Sequence, residues 1–313
     1  MTIWTGRRDS AAKERFFHYV TEIAHVEKVT PGSVCLCGFA VDRGVARNQG
    51  RVGAAEGPDA LRRQLANLCV PSLGDIWDLG NLVCDGDELE SAQEKLGEWV
   101  QGIIEAGAFP VILGGGHETA WGTYQGIGRV EGVAKSLGIV NLDAHFDLRP
   151  VVDGKGTSGT PFSQIASACE KARRSFHYTC VGIQSSGNTE SLFSRAKEVG
   201  ASYHLAEACI QDPERVVREL AEKMAAVQNV YVSFCLDVIH ASVAPGVSAP
   251  QGLGLFPWQV EPMLTWLIHS GKMVAFDMVE LAPRFDPQGS TVRFAAEWVR
   301  KVVMGYFSQA NGR

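Results

Sequence analysis

Short, continuous apolar runs recur along this sequence, and helix-forming stretches separate them. Ser33–Phe39, Phe109–Leu113, Leu137–Val140, Tyr178–Ile183, Val230–Phe234 and Met273–Asp277 are such runs, with a shorter one at Asp75–Leu79. A strand that is apolar on both faces of its pleat is buried on both faces, the condition of a parallel strand covered by helices. Amphipathic or capped stretches fall between the runs: one opens at Gly57-Pro58-Asp59, and others cover about 88–106, 212–227, 257–270 and 291–305. Residues around 11–28 also read as helical through Phe16, Phe17, Val20 and Ile23. The alternation predicts an α/β fold with about eight strands, doubly wound, in one domain over 1–313. No linker, low-complexity tract or repeat interrupts it.

Residues with chemistry cluster where the strands end. The run at Leu137–Val140 leads into Asn141-Leu142-Asp143-Ala144-His145-Phe146-Asp147-Leu148-Arg149. Asp143, His145 and Asp147 alternate, so an extended chain would point all three the same way. Two carboxylates and an imidazole on one dry edge are costly unless paired. A divalent cation meets that need; a hydrogen-bonded polar strand end is the other reading. Phe109–Leu113 breaks into Gly114-Gly115-Gly116-His117-Glu118, a triplet for close packing or ligand approach that lacks the Lys-Ser/Thr of a phosphate loop. Cys235 and Asp237 end another strand, and Glu280 follows the last. Parallel strands share direction, so these residues line one edge of the sheet. Carboxylates with imidazole suit manganese, iron or zinc. With so many ligands, two ions about 3.5–4 Å apart would supply hydroxide at neutral pH, and an Asp could carry its proton to a leaving amine.

After the first buried strand comes a Gly- and Arg-rich loop, 41–53, with Arg43, Arg47, Asn48 and Arg51. It reads either as an anion-recognition loop or as a solvated surface loop. The net charge of −6 argues against broad nucleic-acid or anionic-membrane binding. The N-terminus lacks the apolar core of a secretory signal, and no apolar run is long enough to span a bilayer, so the expected compartment is the cytosol. The eight cysteines include no Cys-x-x-Cys pair and read mostly as small core residues.

Taken together, these motifs resemble the ureohydrolases, the family of arginase, agmatinase and formimidoylglutamase. The resemblance covers nearly the whole chain and is carried by Gly114–His117, Asp143-Ala144-His145-Phe146-Asp147, Ser233-x-x-x-Asp237 with Pro245-Gly246, and Asp277-x-x-Glu280. It implies a three-layer α/β/α fold with a mostly parallel sheet, a homo-oligomer, and up to two manganese ions at the strand ends. By position it implies His117, Asp143, His145, Asp147 and Asp237 as ligands, with Glu280 facing the amidine or guanidine of a small substrate. The formimidoylglutamase branch matches best, through Gly44–Arg51, Asp147-Leu148-Arg149, Ser158–Phe162, Asn188-Thr189 and Pro245–Pro250. That branch hydrolyses N-formimidoyl-L-glutamate to L-glutamate and formamide, a step of histidine degradation. Its substrate has two carboxylates, for which Arg47, Asn48, Arg51, Arg149 and Asn188 are suitable partners. Arginase, agmatinase or guanidino-acid hydrolysis, and a non-catalytic binding subunit, are the alternatives.

The chain departs from the family pattern at three positions. Gly116 stands where Asp is usual, Ser158 replaces a histidine of arginases and agmatinases, and Cys235 takes the place of a carboxylate that would bridge two metals. The last departure places Cys235 at the metal edge and predicts one weakly held metal.

Overall fold

The computed structural model describes residues 3–8, 12–84 and 86–311. Its centre is a sheet of nine strands: β1 (Val20–Glu22), β2 (Val34–Ala40), β3 (Ile76–Val83), β4 (Phe109–Leu113), β5 (Leu137–Leu142), β6 (His177–Ile183), β7 (Ser202–Leu205), β8 (Asn229–Cys235) and β9 (Met273–Val279). Their order is β1-β3-β2-β4-β9-β8-β5-β6-β7, and every pairing is parallel.

Alternate residues of each strand feed two separate cores, which makes the fold three-layered. Val34, Leu36, Val111, Leu113, Val232 and Phe234 meet the helices Gly57–Ala66, Pro213–Ala225, Pro257–His269 and Ser290–Asn311. Cys35, Cys37, Ile112, Ile139, Tyr231 and Ala275 meet Leu89–Glu105, Thr119–Arg129 and Pro161–Lys171 on the other face. This is the two-sided burial that continuous apolar runs require. No helix of the described residues is long and apolar enough to cross a membrane.

The helix expected around 11–28 is not formed. Over its described part the chain makes a 3-10 turn (Phe16–Tyr19), the edge strand β1 and a second turn (Val26–Lys28); Ala11 lies outside the described residues. Its apolar residues are spaced for a helix, but Val20–Glu22 pairs with Ile76–Asp78, so sheet pairing overrides the pattern. Strand β7 has no counterpart among the apolar runs, because Ser202-Tyr203-His204-Leu205 is polar and lies at the opposite edge.

Candidate metal centre and substrate cavity

The strands β4, β9, β8 and β5 are neighbours in the sheet, and their carboxyl ends carry the candidate residues. The convergence of Asp143, His145 and Asp147 differs from the extended alternation expected. Strand β5 stops at Leu142, and the chain then bends, with Asp147 in the left-handed region at φ 48°. The curl sends His145 towards Asp143 Oδ1 and Asp147 towards His117, on the side of Asp143 Oδ2. Similarly, β8 ends at Cys235 and a 3-10 turn over Leu236–Val238 presents Asp237.

Two triads result. His117, Asp143 and Cys235 form one, and Asp143, His145 and Asp237 the other; within each, the ligand-type atoms lie within 4.8 Å of one another. Asp143 serves both, with Oδ2 at 2.9 Å from His117 Nδ1 and Oδ1 at 3.4 Å from His145 Nδ1. Asp147 Oδ2 is 2.9 Å from His117 Nδ1, and Asp237 Oδ2 is 3.0 Å from His145 Nδ1.

The surrounding bonds set the His117 tautomer. Ser233 Oγ donates to Asp277 Oδ1 at 2.5 Å and lies 3.0 Å from His117 Nε2. Since the hydroxyl proton goes to Asp277, Ser233 accepts from Nε2–H, so the neutral imidazole carries its lone pair on Nδ1. Tyr231 and Thr123 also donate to Asp277, holding it in place. Nδ1 is buried and has no hydrogen-bond partner despite the two carboxylates nearby. An orphaned imidazole nitrogen beside two carboxylates suits a divalent cation, and the imidazole–serine–carboxylate chain behind it is the kind of support metal ligands have.

Electrostatics point the same way. Burial alone would push the His117 and His145 imidazoles down, but Asp143 and Asp147 beside the first, and Asp237 and Asp143 beside the second, raise both well above the ordinary range. Burial, followed by Asp143, Asp237 and Glu280, pushes the Cys235 thiol well up, so it is neutral here. Glu280 is in the left-handed region at φ 69°; its Oε1 accepts from His117 N–H at 2.8 Å, and Oε2 is buried without a partner. Burial, then Glu118 and Asp237, raises its carboxyl well above the usual range. Strained backbone at two site carboxylates fits a functional position.

These residues open on a cavity of about 340 Å³, whose walls include Asn48, Arg51, His145, Asp147, Arg149, Asn188, Cys235, Asp237 and Glu280. Arg149 is exposed there, and no side-chain bond ties its guanidinium to the described residues. Asn48 donates to Ser158 Oγ at 3.1 Å.

The other candidates are committed elsewhere. Arg47 does not line the cavity: it pairs with Glu90 at 2.6 Å and Asp87 at 3.1 Å and donates to the Gly156 carbonyl, so its expected substrate contact is corrected to a loop anchor. Asn188 accepts from Phe146 N–H and donates to the Ala144 and Gln184 carbonyls, so its side chain braces the 143–147 segment instead of reaching for a ligand. Arg51 lines the cavity, but it donates to the Ser248 and Val247 carbonyls and covers the Phe285 ring at 4.2 Å. Roles for Ser233 and Asp277, and the walls at Ser248 and Gly187, were not foreseen. A polar residue inside an apolar strand, as in Val232-Ser233-Phe234 and Phe276-Asp277-Met278, was the available signal for the first two.

The model for the arginase family matches residues 32–305. A formimidoylglutamase of Legionella pneumophila (strain Paris) is 45% identical, over 94% of this chain and 92% of its own. One from Ralstonia nicotianae is 42% identical, over 98% and 96%. The structure of a Trypanosoma cruzi formiminoglutamase solved with manganese superposes with a TM-score of 0.79 at 26% identity, over 91% of this chain and 96% of that one.

Proposed function

The chain belongs to the arginase family and is a hydrolase of it, and we propose that it cleaves N-formimidoyl-L-glutamate to L-glutamate and formamide. The observation that carries this reading is a pair of complementary, unpartnered groups in one cavity. Glu280 offers a buried carboxyl oxygen without a partner, and Arg149 offers an exposed guanidinium that no side-chain bond ties to the described residues. A substrate with a formimidoyl cation at one end and carboxylates at the other completes both.

We take the metal to be manganese, the metal of the Trypanosoma cruzi structure. His117, Asp143, Asp147 and Cys235 would surround one ion, and Asp143, His145 and Asp237 the other. When bound, such ions supply a strong nucleophile from water at neutral pH. Ser233 and Asp277 keep His117 in the tautomer that ligates. Glu280 holds the amidinium beside the metal residues, where its own burial becomes favourable once the cation pairs with it. Asp147, on the cavity wall, takes a proton from the attacking water and returns it to the leaving nitrogen, so the products are neutral formamide and the free amino acid. Arg149 orients the substrate through a carboxylate, for which its planar fork is suited.

The test compares N-formimidoyl-L-glutamate with N-formimidoyl-ethylamine, which has no carboxylate, in wild type and Arg149→Ala. The wild type should favour the first by at least about tenfold in kcat/KM, the scale of one charge-assisted hydrogen bond, and the variant should lose most of that preference. Equal kcat/KM for the two compounds in the wild type would overturn the reading.

A further inference from the structure

The segment 41–53, which brings Asn48 and Arg51 to the cavity wall, is joined to the metal-bearing turn at a buried joint where Gly44 meets Glu118 and Val41 meets Gly116. We propose that Glu118 is the positioning residue of that joint, setting the substrate-binding wall against the metal ligands. The proposal rests on the cavity being the substrate site.

Glu118 directly follows His117 and is fully buried. Its Oε1 accepts from Gly44 N–H at 2.6 Å, in the first turn of the short helix Arg43–Arg47, where backbone N–H groups have no partner within the helix. The carboxylate lies in a cradle of two glycines. A Cβ on Gly116 would stand 2.1 Å from Glu118 Oε2, and one on Gly44 would stand 2.5 Å from its Cδ. Glycine at 116, where the family pattern differs, is what makes room for this side chain. Gln93 Nε2 donates to the Glu118 carbonyl at 2.7 Å, and Gly116 N–H donates to Val41 O at 2.9 Å, so the backbones on both sides of the joint are fixed. Arg47 pins the far end of the helix to Asp87 and Glu90.

Glu118 Oε2 has no partner although it is buried. Leaving such an oxygen unpaired costs free energy, and an apolar side chain would fill the space without that cost. What the carboxylate adds is the Gly44 bond. Through it, the turn that holds His117 also sets where Asn48 and Arg51 stand, so assembly of the metal site and placement of the substrate wall share one residue.

The test is amide hydrogen exchange over residues 42–51, with steady-state kinetics and manganese content, in wild type, Glu118→Ala and Glu118→Gln. Glu118→Ala should exchange faster over 42–51 and raise KM by up to about tenfold, the scale of one hydrogen bond, with kcat and manganese content close to wild type. Glu118→Gln keeps an acceptor for Gly44 and should restore both exchange and KM. Wild-type exchange in Glu118→Ala, or a loss confined to manganese content and kcat, would overturn the proposal. Should Glu118→Ala fail to fold, Gly44→Ala opens the same joint from the loop side, and wild-type exchange and KM in it would equally overturn the proposal. If the wild type releases no formamide, the proposed substrate is wrong, while exchange over 42–51 still decides whether Glu118 is the tether.

Discussion

At the scale of single residues, Cys235 and Glu280 carry the sharpest consequences. Cys235 sits in a triad with His117 and Asp143, is 1% exposed, and is held neutral by burial and three nearby carboxylates. A neutral thiol lends no charge to a cation, and a thiolate is poorly matched to manganese. One ion should therefore bind readily and the other only with excess manganese; Cys235→Asp should tighten the second, as read by manganese bound per chain against free manganese. Identical binding curves for wild type and variant would exclude Cys235 from the site. Strand order keeps Cys235 from pairing with Cys35 or Cys37 on oxidation. Both lie on β2, and β4 and β9 separate β2 from β8, a gap of about 14 Å at ordinary strand spacing, whereas a disulfide needs Cα atoms within about 7 Å. For Glu280, substitution by Gln keeps the shape but gives a cationic substrate no charge to meet. Glu280→Gln should lower kcat/KM by roughly 10- to 100-fold, as for loss of a charged hydrogen-bond partner, with manganese content unchanged; activity near wild type would remove Glu280 from substrate binding.

At the scale of elements, much of the site was legible because strand ends are legible. An apolar run followed within a few residues by Asp, His or Glu marks the carboxyl edge of a parallel sheet, and β4, β5, β8 and β9 each show that signature. Their adjacency was not legible: the order β4-β9-β8-β5 brings together segments that are far apart in the chain, and no local pattern encodes which strands pair. The curl at Asp147, which sends its carboxylate towards His117, was also hidden, since an alternating pattern implies an extended chain while a left-handed φ does not follow from an aspartate. Arginines in the 41–53 loop were visible as charges, but their partners were not. Glu90 and Asp87, on or just before the helix Leu89–Glu105, claim Arg47 across a distance the sequence does not measure, which leaves Arg149 as the guanidinium open to the cavity. The edge strands β1 and β7 were missed because an edge strand is not buried on both faces and so lacks the apolar run that identifies its neighbours.

At the scale of the whole molecule, the proposed metal and the proton would compete for the same atoms, which would tie stability to pH. Without metal, His117 and His145 are raised above the ordinary imidazole value by Asp143, Asp147 and Asp237. A raised folded-state pKa contributes stability that is fully present below the unfolded value, about 6.5, and lost as pH climbs through the folded value. Asp143 has the opposite shift, lowered by His117 and His145 against its burial, so its contribution is present above the unfolded carboxyl range and lost in acid. Ligation requires neutral imidazoles, so manganese should release protons on binding and raise Tm more at pH 9 than at pH 6.5; thermal melts with manganese and with chelator, at both values, check this, and a Tm gain that does not grow with pH would contradict it. Product analysis tests whether this cavity joins an amidinium site to a carboxylate site beside two metal-ligand sets. Manganese-loaded protein should be given N-formimidoyl-L-glutamate, L-arginine and agmatine in parallel, with formamide and urea both measured. Formamide is expected from the first at a kcat/KM at least about a hundredfold above urea release from the other two, within the discrimination a site built for polar groups can reach; urea release from arginine or agmatine as fast or faster would contradict a formimidoyl-glutamate site.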